Sequence, residues 1–185
     1  LWFQPDASAR QWAFVAESLA GLREDLAGIG APLVVRVGEA VQVLEGLCRR
    51  HGITRLVSHE ETGNLWTYVR DRKVAAWARS AGVEWTEVPQ SGVVRRLPSR
   101  DIWAASRDGF MAAPALPVPA LQAVEGVEPG LIPSARALKL AADPCPHRQL
   151  GGRTRGVELL DSFLAQRGEP YRAAMSSPLT AERAC

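Results

Sequence analysis

The sequence predicts an α/β fold built on a small parallel sheet. Apolar residues recur at helical spacing in one segment and gather into short β-branched runs in the next, so helix and strand alternate from residue 8 to residue 88. The runs are separated by helix-length stretches, and such crossover connections make neighbouring strands parallel, with helices on the sheet faces. The chain has 185 residues, of which 46% are hydrophobic and 23% charged. That is the composition and length of a globular domain, or of one domain with an appendage.

The first helix is expected over residues 8–28. Trp12, Val15, Leu19, Leu22 and Leu26 recur at intervals of three and four and draw one apolar stripe. Ser8 with Gln11 fits a capping box, and Gly28 and Gly30 fit the stop. Residues 32–37, Pro-Leu-Val-Val-Arg-Val, read as a buried strand. Residues 39–51 return to helix, with Val43, Leu44 and Leu47 inward and Gly52 as terminator. Arg55–Ser58 reads as a second strand. Residues 66–81 read as helix through Val69, Val74, Trp77 and Ala81, closed by Gly82, and Val83–Val88 reads as a third strand. The pattern opens on a helix with no strand before it to cross from, and three strands make a small parallel sheet. The expectation is therefore a sheet whose first strands are missing.

Beyond Pro89 the texture changes. Arg95, Arg96, Arg100 and Arg107 face Asp101 alone, and residues 101–111 are expected to be a short helix presenting Trp103 and Phe110. These arginines could contact phosphates, or form a solvated loop with an aromatic anchor. The run Arg70-Asp71-Arg72-Lys73 is expected to pair locally or face water. Residues 112–133 hold five prolines and no Lys or Arg, which reads as an extended linker. A last helix is expected over 154–167 through Val157, Leu160, Phe163 and Leu164, ended by Gly168; the tail from Tyr171 to Cys185 has no periodicity.

A net charge of +2 does not argue for nucleic acid or an anionic membrane. No apolar run approaches the ~20 residues of a membrane helix, and no secretory signal is visible. Cys48, Cys145 and Cys185 are odd in number and far apart, which points to free thiols in a reducing cytoplasm. His51, His59 and His147 lack metal-ligand spacing, so no metal is expected. No phosphate-loop glycine pattern follows any strand.

In open α/β sheets ligands bind beyond the carboxyl ends of the strands. Ser58-His59-Glu60-Glu61-Thr62-Gly63-Asn64 follows the second strand there and is rich in polar and ionisable groups. The plainer alternative is a hydrophilic connection with a capping Asn. A His beside two Glu has no visible nucleophile, which disfavours a hydrolase. Trp77 reads as core and Tyr68 as surface, and Trp66 is a candidate stacking plane for a flat ligand.

Several segments, in this order and spacing, resemble the photolyase/cryptochrome family in its bacterial members. They are Gln11-Trp12-Ala13-Phe14-Val15 with Ser18-Leu19, Pro32-Leu33-Val34-Val35-Arg36-Val37-Gly38 with Val43-Leu44, Ser58-His59-Glu60-Glu61-Thr62-Gly63-Asn64, Tyr68, Arg70-Asp71, Trp77, Pro89-Gln90-Ser91-Gly92-Val93-Val94-Arg95-Arg96-Leu97, Ser99-Arg100-Asp101, Trp103, Gly151-Gly152, Ser162-Phe163-Leu164, Arg167-Gly168, Tyr171 and Met175-Ser176-Ser177-Pro178.

The resemblance implies a Rossmann-like antenna domain over residues 1–100, an interdomain linker over 101–153, and the start of an all-α FAD-binding domain over 154–185. The family's first strands would precede Leu1, and most of its flavin and DNA surface would follow Cys185. The resemblance implies FAD as cofactor, with Tyr171 near it. It also implies an antenna chromophore, a pterin, deazaflavin or similar molecule, bordered by His59, Glu60, Glu61, Asn64 and Trp66. No residue of this segment is assigned a catalytic role. The parent would be a monomeric cytoplasmic enzyme that splits pyrimidine dimers in damaged DNA by light, acting through its helical domain, without a membrane. The alternatives are a blue-light receptor of the same family, whose output is a protein contact, and an unrelated doubly wound nucleotide-binding or interaction module. The segment alone is expected to be inactive and aggregation-prone, since unpaired strand edges would be exposed.

Overall fold

In the computed structural model, residues 1–90, 93–177 and 179 are described. Ser91, Gly92, Pro178 and Cys185, which the sequence reading used, lie outside the described residues. The chain forms two compact units, one from Leu1 with Arg36–Pro119 and one from Trp2–Val35 with Ala120–Cys185.

The first unit carries the sheet. Helix α2 (Ala40–His51) ends on Gly52, whose left-handed φ of 64° lets its N–H reach the Cys48 carbonyl. Strand β1 (Arg55–His59) follows. Helix α3 (Leu65–Ala81) starts on Asn64, whose side chain accepts from the Thr67 N–H, and stops on Gly82 at φ 67°. Strand β2 (Glu84–Val88) then pairs with β1 in parallel, from Arg55 opposite Glu84 to His59 opposite Val88. The crossover through α3 thus produces the parallel pair expected of it.

Two expectations are corrected here. Residues 32–37 form neither helix nor strand and join no sheet, so among the described residues the sheet has two strands, not three. Strand character needs a ladder partner. Pro32 has no N–H to give, and the Val35 N–H instead donates to the Pro129 carbonyl at 2.7 Å. The inward face of α3 also differs. Thr67, Val74 and Ala78 are buried and Trp77 is half-buried, whereas Val69 and Ala81 are exposed. Small side chains at four- and seven-residue steps let the helix approach β2 and α2 closely. A 3₁₀ turn (Arg100–Ile102) capped by the Ser99 hydroxyl leads into α4 (Trp103–Ala112), where Trp103 and Phe110 are about half exposed.

The second unit is organised by α1 (Ala9–Gly28). Its capping box is made as the sequence indicates, with the Gln11 N–H donating to the Ser8 hydroxyl and the Ser8 N–H to the Gln11 side-chain oxygen Oε1. Trp12 is buried, stacks edge-on against Trp2 with centroids 4.8 Å apart, and donates its indole N–H to the Pro133 carbonyl at 3.0 Å. Leu22 is exposed, so the apolar stripe is narrower than its spacing suggests. Residues 113–152 form no helix or strand. Then α5 (Arg153–Ser162) runs into a π-helical turn (Phe163–Arg167), and α6 (Tyr171–Ala174) follows. Leu138 and Ala174 complete this unit's buried set. Among the described residues, no helix is long and apolar enough to cross a membrane.

Candidate functional site

Two parallel strands that pair in register finish at the same end of the sheet, so the residues just after His59 and just after Val88 are neighbours. The Glu60 N–H extends the ladder by one bond, to the Val88 carbonyl at 2.9 Å. The chain then turns tightly. The Gly63 N–H donates to Glu61 Oε1 at 2.8 Å, and a Cβ at Gly63 would lie 2.8 Å from that oxygen and 3.1 Å from Thr67 Oγ1. Asn64 Oδ1 accepts from the Thr67 N–H at 3.2 Å, and the Thr67 hydroxyl donates back to the Asn64 carbonyl at 2.7 Å.

A cluster of charges underlies this turn. Arg70 reaches Glu61 Oε2 at 3.2 Å and Asp71 Oδ1 at 2.7 Å. Arg95 donates twice to the Glu61 carbonyl oxygen, from Nε at 2.9 Å and from Nη2 at 2.6 Å. It donates a third time, from Nη1 to Glu87 Oε1 on β2 at 3.0 Å, and its Nη2 lies 4.0 Å from Asp71 Oδ2. These side chains are mostly covered: Asp71 is 15% exposed and Arg95 28%. Hydrogen bonds to an ionised donor contribute about 1.5–3 kcal/mol each when shielded from water. Arg95 is therefore neither a free phosphate contact nor part of a solvated loop; it ties one loop to the neighbouring strand. The sequence signal that could have found it is the pairing of acidic residues at 61, 71 and 87 with arginines at 70 and 95, but the link between them is tertiary.

The other predicted site residues fall as follows. His59 is exposed at the end of β1, Glu60 is half-buried, and Trp66 is half-buried in the first turn of α3. The Asn64 side chain is spent on capping α3, and that of Glu61 on the Gly63 N–H and on Arg70. Thus the structure brings His59, Glu60, Glu61, Asn64 and Trp66 together in one loop and helix start. The exposed imidazole and the half-covered carboxylate and indole are groups able to hydrogen-bond to, or stack on, a planar heteroaromatic ring. Tyr171 belongs to the second unit. It is 38% exposed, and its ring meets Phe163 edge-on at 5.5 Å. Arg167 there donates to Ser162 Oγ at 2.9 Å and to the Leu159 carbonyl at 2.7 Å. Among the described residues, one closed aromatic pair with its arginine turned onto the helix does not fit a cradle for a dinucleotide flavin.

The second unit also holds an ion pair that the sequence reading missed. The Glu17 carboxylate accepts from both terminal nitrogens of Arg148, one at 3.0 Å, and from the Gly151 N–H at 2.8 Å. These bonds, that from Arg148 first, hold the Glu17 carboxyl down at about 2, against an ordinary 4.5. Cys48 and Cys145 are free thiols, and burial pushes the Cys48 thiol up. Among the described residues, no three His, Cys, Asp or Glu side chains form a metal-binding group.

Compared with known proteins, the chain matches the family model for DNA photolyase over residues 2–100. No curated protein gives a match.

Proposed function

The chain belongs to the DNA photolyase family, and from that premise we propose that it is the antenna-domain part of a light-driven photolyase that splits pyrimidine dimers in DNA. The observation that carries this reading is the match over residues 2–100, a range that includes the ordered polar turn at the carboxyl ends of β1 and β2. In this reading residues 1–100 are the antenna domain, 101–153 the connection and 154–185 the start of the helical domain. His59, Glu60 and Trp66 border an antenna chromophore of pterin or deazaflavin type, and the turn made by Glu61 and Asn64 holds them in place. When bound, FAD supplies the light-driven splitting chemistry, and it is held mainly outside the described residues. Damaged DNA is the partner, met through the helical domain, and the compartment is the cytoplasm.

The test is illumination of an oligonucleotide carrying a thymine dimer, with the 185-residue chain alone and with the full-length protein that contains this segment. We expect dimer splitting by the full-length protein and none by the chain alone. Flavin loading without splitting in the full-length protein would replace this reading by that of a blue-light receptor. Splitting by the chain alone would overturn the assignment of the flavin site elsewhere.

A further inference from the structure

We infer that Arg95 is the positioning residue of the chromophore-bordering turn: its guanidinium fixes the main chain at Glu61 and thereby the placement of His59, Glu60 and Trp66. The inference rests on the reading of that turn as the antenna site. Three observations carry it. Two guanidinium N–H groups converge on one backbone oxygen, that of Glu61, at 2.9 and 2.6 Å, so the grip acts on the main chain whatever the side chain at 61. The third contact, to Glu87 at 3.0 Å, anchors the same guanidinium to β2, which is paired with β1 along its length. Finally, the next residue, Arg96, has φ 56°, a left-handed conformation that non-glycine residues avoid. Such backbone strain persists only where surrounding contacts over-determine it, and it clusters at ligand sites. Here the contact beside the strained residue is the Arg95 grip.

Lysine does not reproduce this geometry. Its ammonium is a point charge without a planar fork, so it can pair with Glu87 but cannot also hold the Glu61 carbonyl with two donors. The test is amide hydrogen exchange on the full chain, comparing wild type with Arg95→Met and Arg95→Lys. In Arg95→Met the Glu60 and Gly63 amides are expected to exchange at least about tenfold faster, while amides inside the β1–β2 ladder stay within about twofold. The lysine variant is expected to fall between. Unchanged loop exchange, or equal acceleration of loop and ladder, overturns the positioning role. If the methionine variant does not fold, the lysine variant decides on the same two groups of amides. A second arm measures binding of a folate-type pterin and of a deazaflavin by equilibrium dialysis. Should wild type bind neither probe, the antenna reading fails, and the exchange result still judges the grip. Where a probe binds, Arg95→Met is expected to weaken it at least about tenfold, and unchanged affinity with a loosened turn overturns the inference.

Discussion

At the residue scale, the second unit turns on Glu17. Its depressed pKa means that the folded state holds the ionised form more firmly than the unfolded chain does. The stabilisation is therefore fully present above pH 4.5 and is lost as pH falls towards about 2. Glu17→Gln is expected to flatten the fall of the thermal midpoint over that window. Identical acid dependence in wild type and variant would sink the assignment. The same clamp explains Gly151. A Cβ there would overlap the Phe14 carbonyl oxygen and come within 2.7 Å of Ser18 Oγ, while the Gly152 N–H donates to that hydroxyl at 3.0 Å. Backbone cannot yield as a flexible side chain can, so Gly151→Ala is expected to cost about 1–3 kcal/mol in urea unfolding. Neither role was visible in the sequence, because Glu17 and its partners are separated by 131 to 134 positions. Nothing local marks one glutamate on an amphipathic helix as the one that meets an arginine in a distant loop.

Elements show a different balance. Helix ends were readable, since the capping box at Ser8, the Asn64 cap and the glycines at 52 and 82 act through bonds within four residues. Asn64→Ala is expected to lower stability by about 1 kcal/mol, read as a shift in the denaturant midpoint with unchanged slope. A change above that would show that Asn64 does more than cap α3. The strand at 32–37 was not readable. A β-branched run records a preference for extended pairing, and its backbone donor can be satisfied by a loop carbonyl, here that of Pro129, as well as by a ladder. On α3 the inward position at Thr67 was missed because a threonine counts as polar in a pattern, although its hydroxyl is satisfied by the Asn64 carbonyl of its own turn.

At the scale of the whole molecule, the described residues leave much apolar surface in water. Val57 on β1 is 66% exposed and Val88 on β2 is 40% exposed. Among the described residues the sheet has two strands, so each has an unpaired edge. An exposed apolar strand with free N–H and C=O groups is a template for pairing with another chain. The isolated chain is therefore expected to self-associate, and Val57→Lys to reduce that association in sedimentation and light scattering. A wild-type chain that stays monomeric with a sharp cooperative melt would refute this.

The sequence by itself determined the alternation of helix and strand from residue 40 to residue 88, the helix ends, the parallel pair and the polar turn beyond it, because periodicity, capping and crossover length act over short stretches. Tertiary structure alone decided that residues 32–37 leave the sheet, that Arg95 turns inward to Glu61 and Glu87, and that Glu17 closes on Arg148 and Gly151. Those outcomes depend on which distant donor reaches which acceptor once the chain has compacted, and a charge or a β-branched run carries no record of its partner.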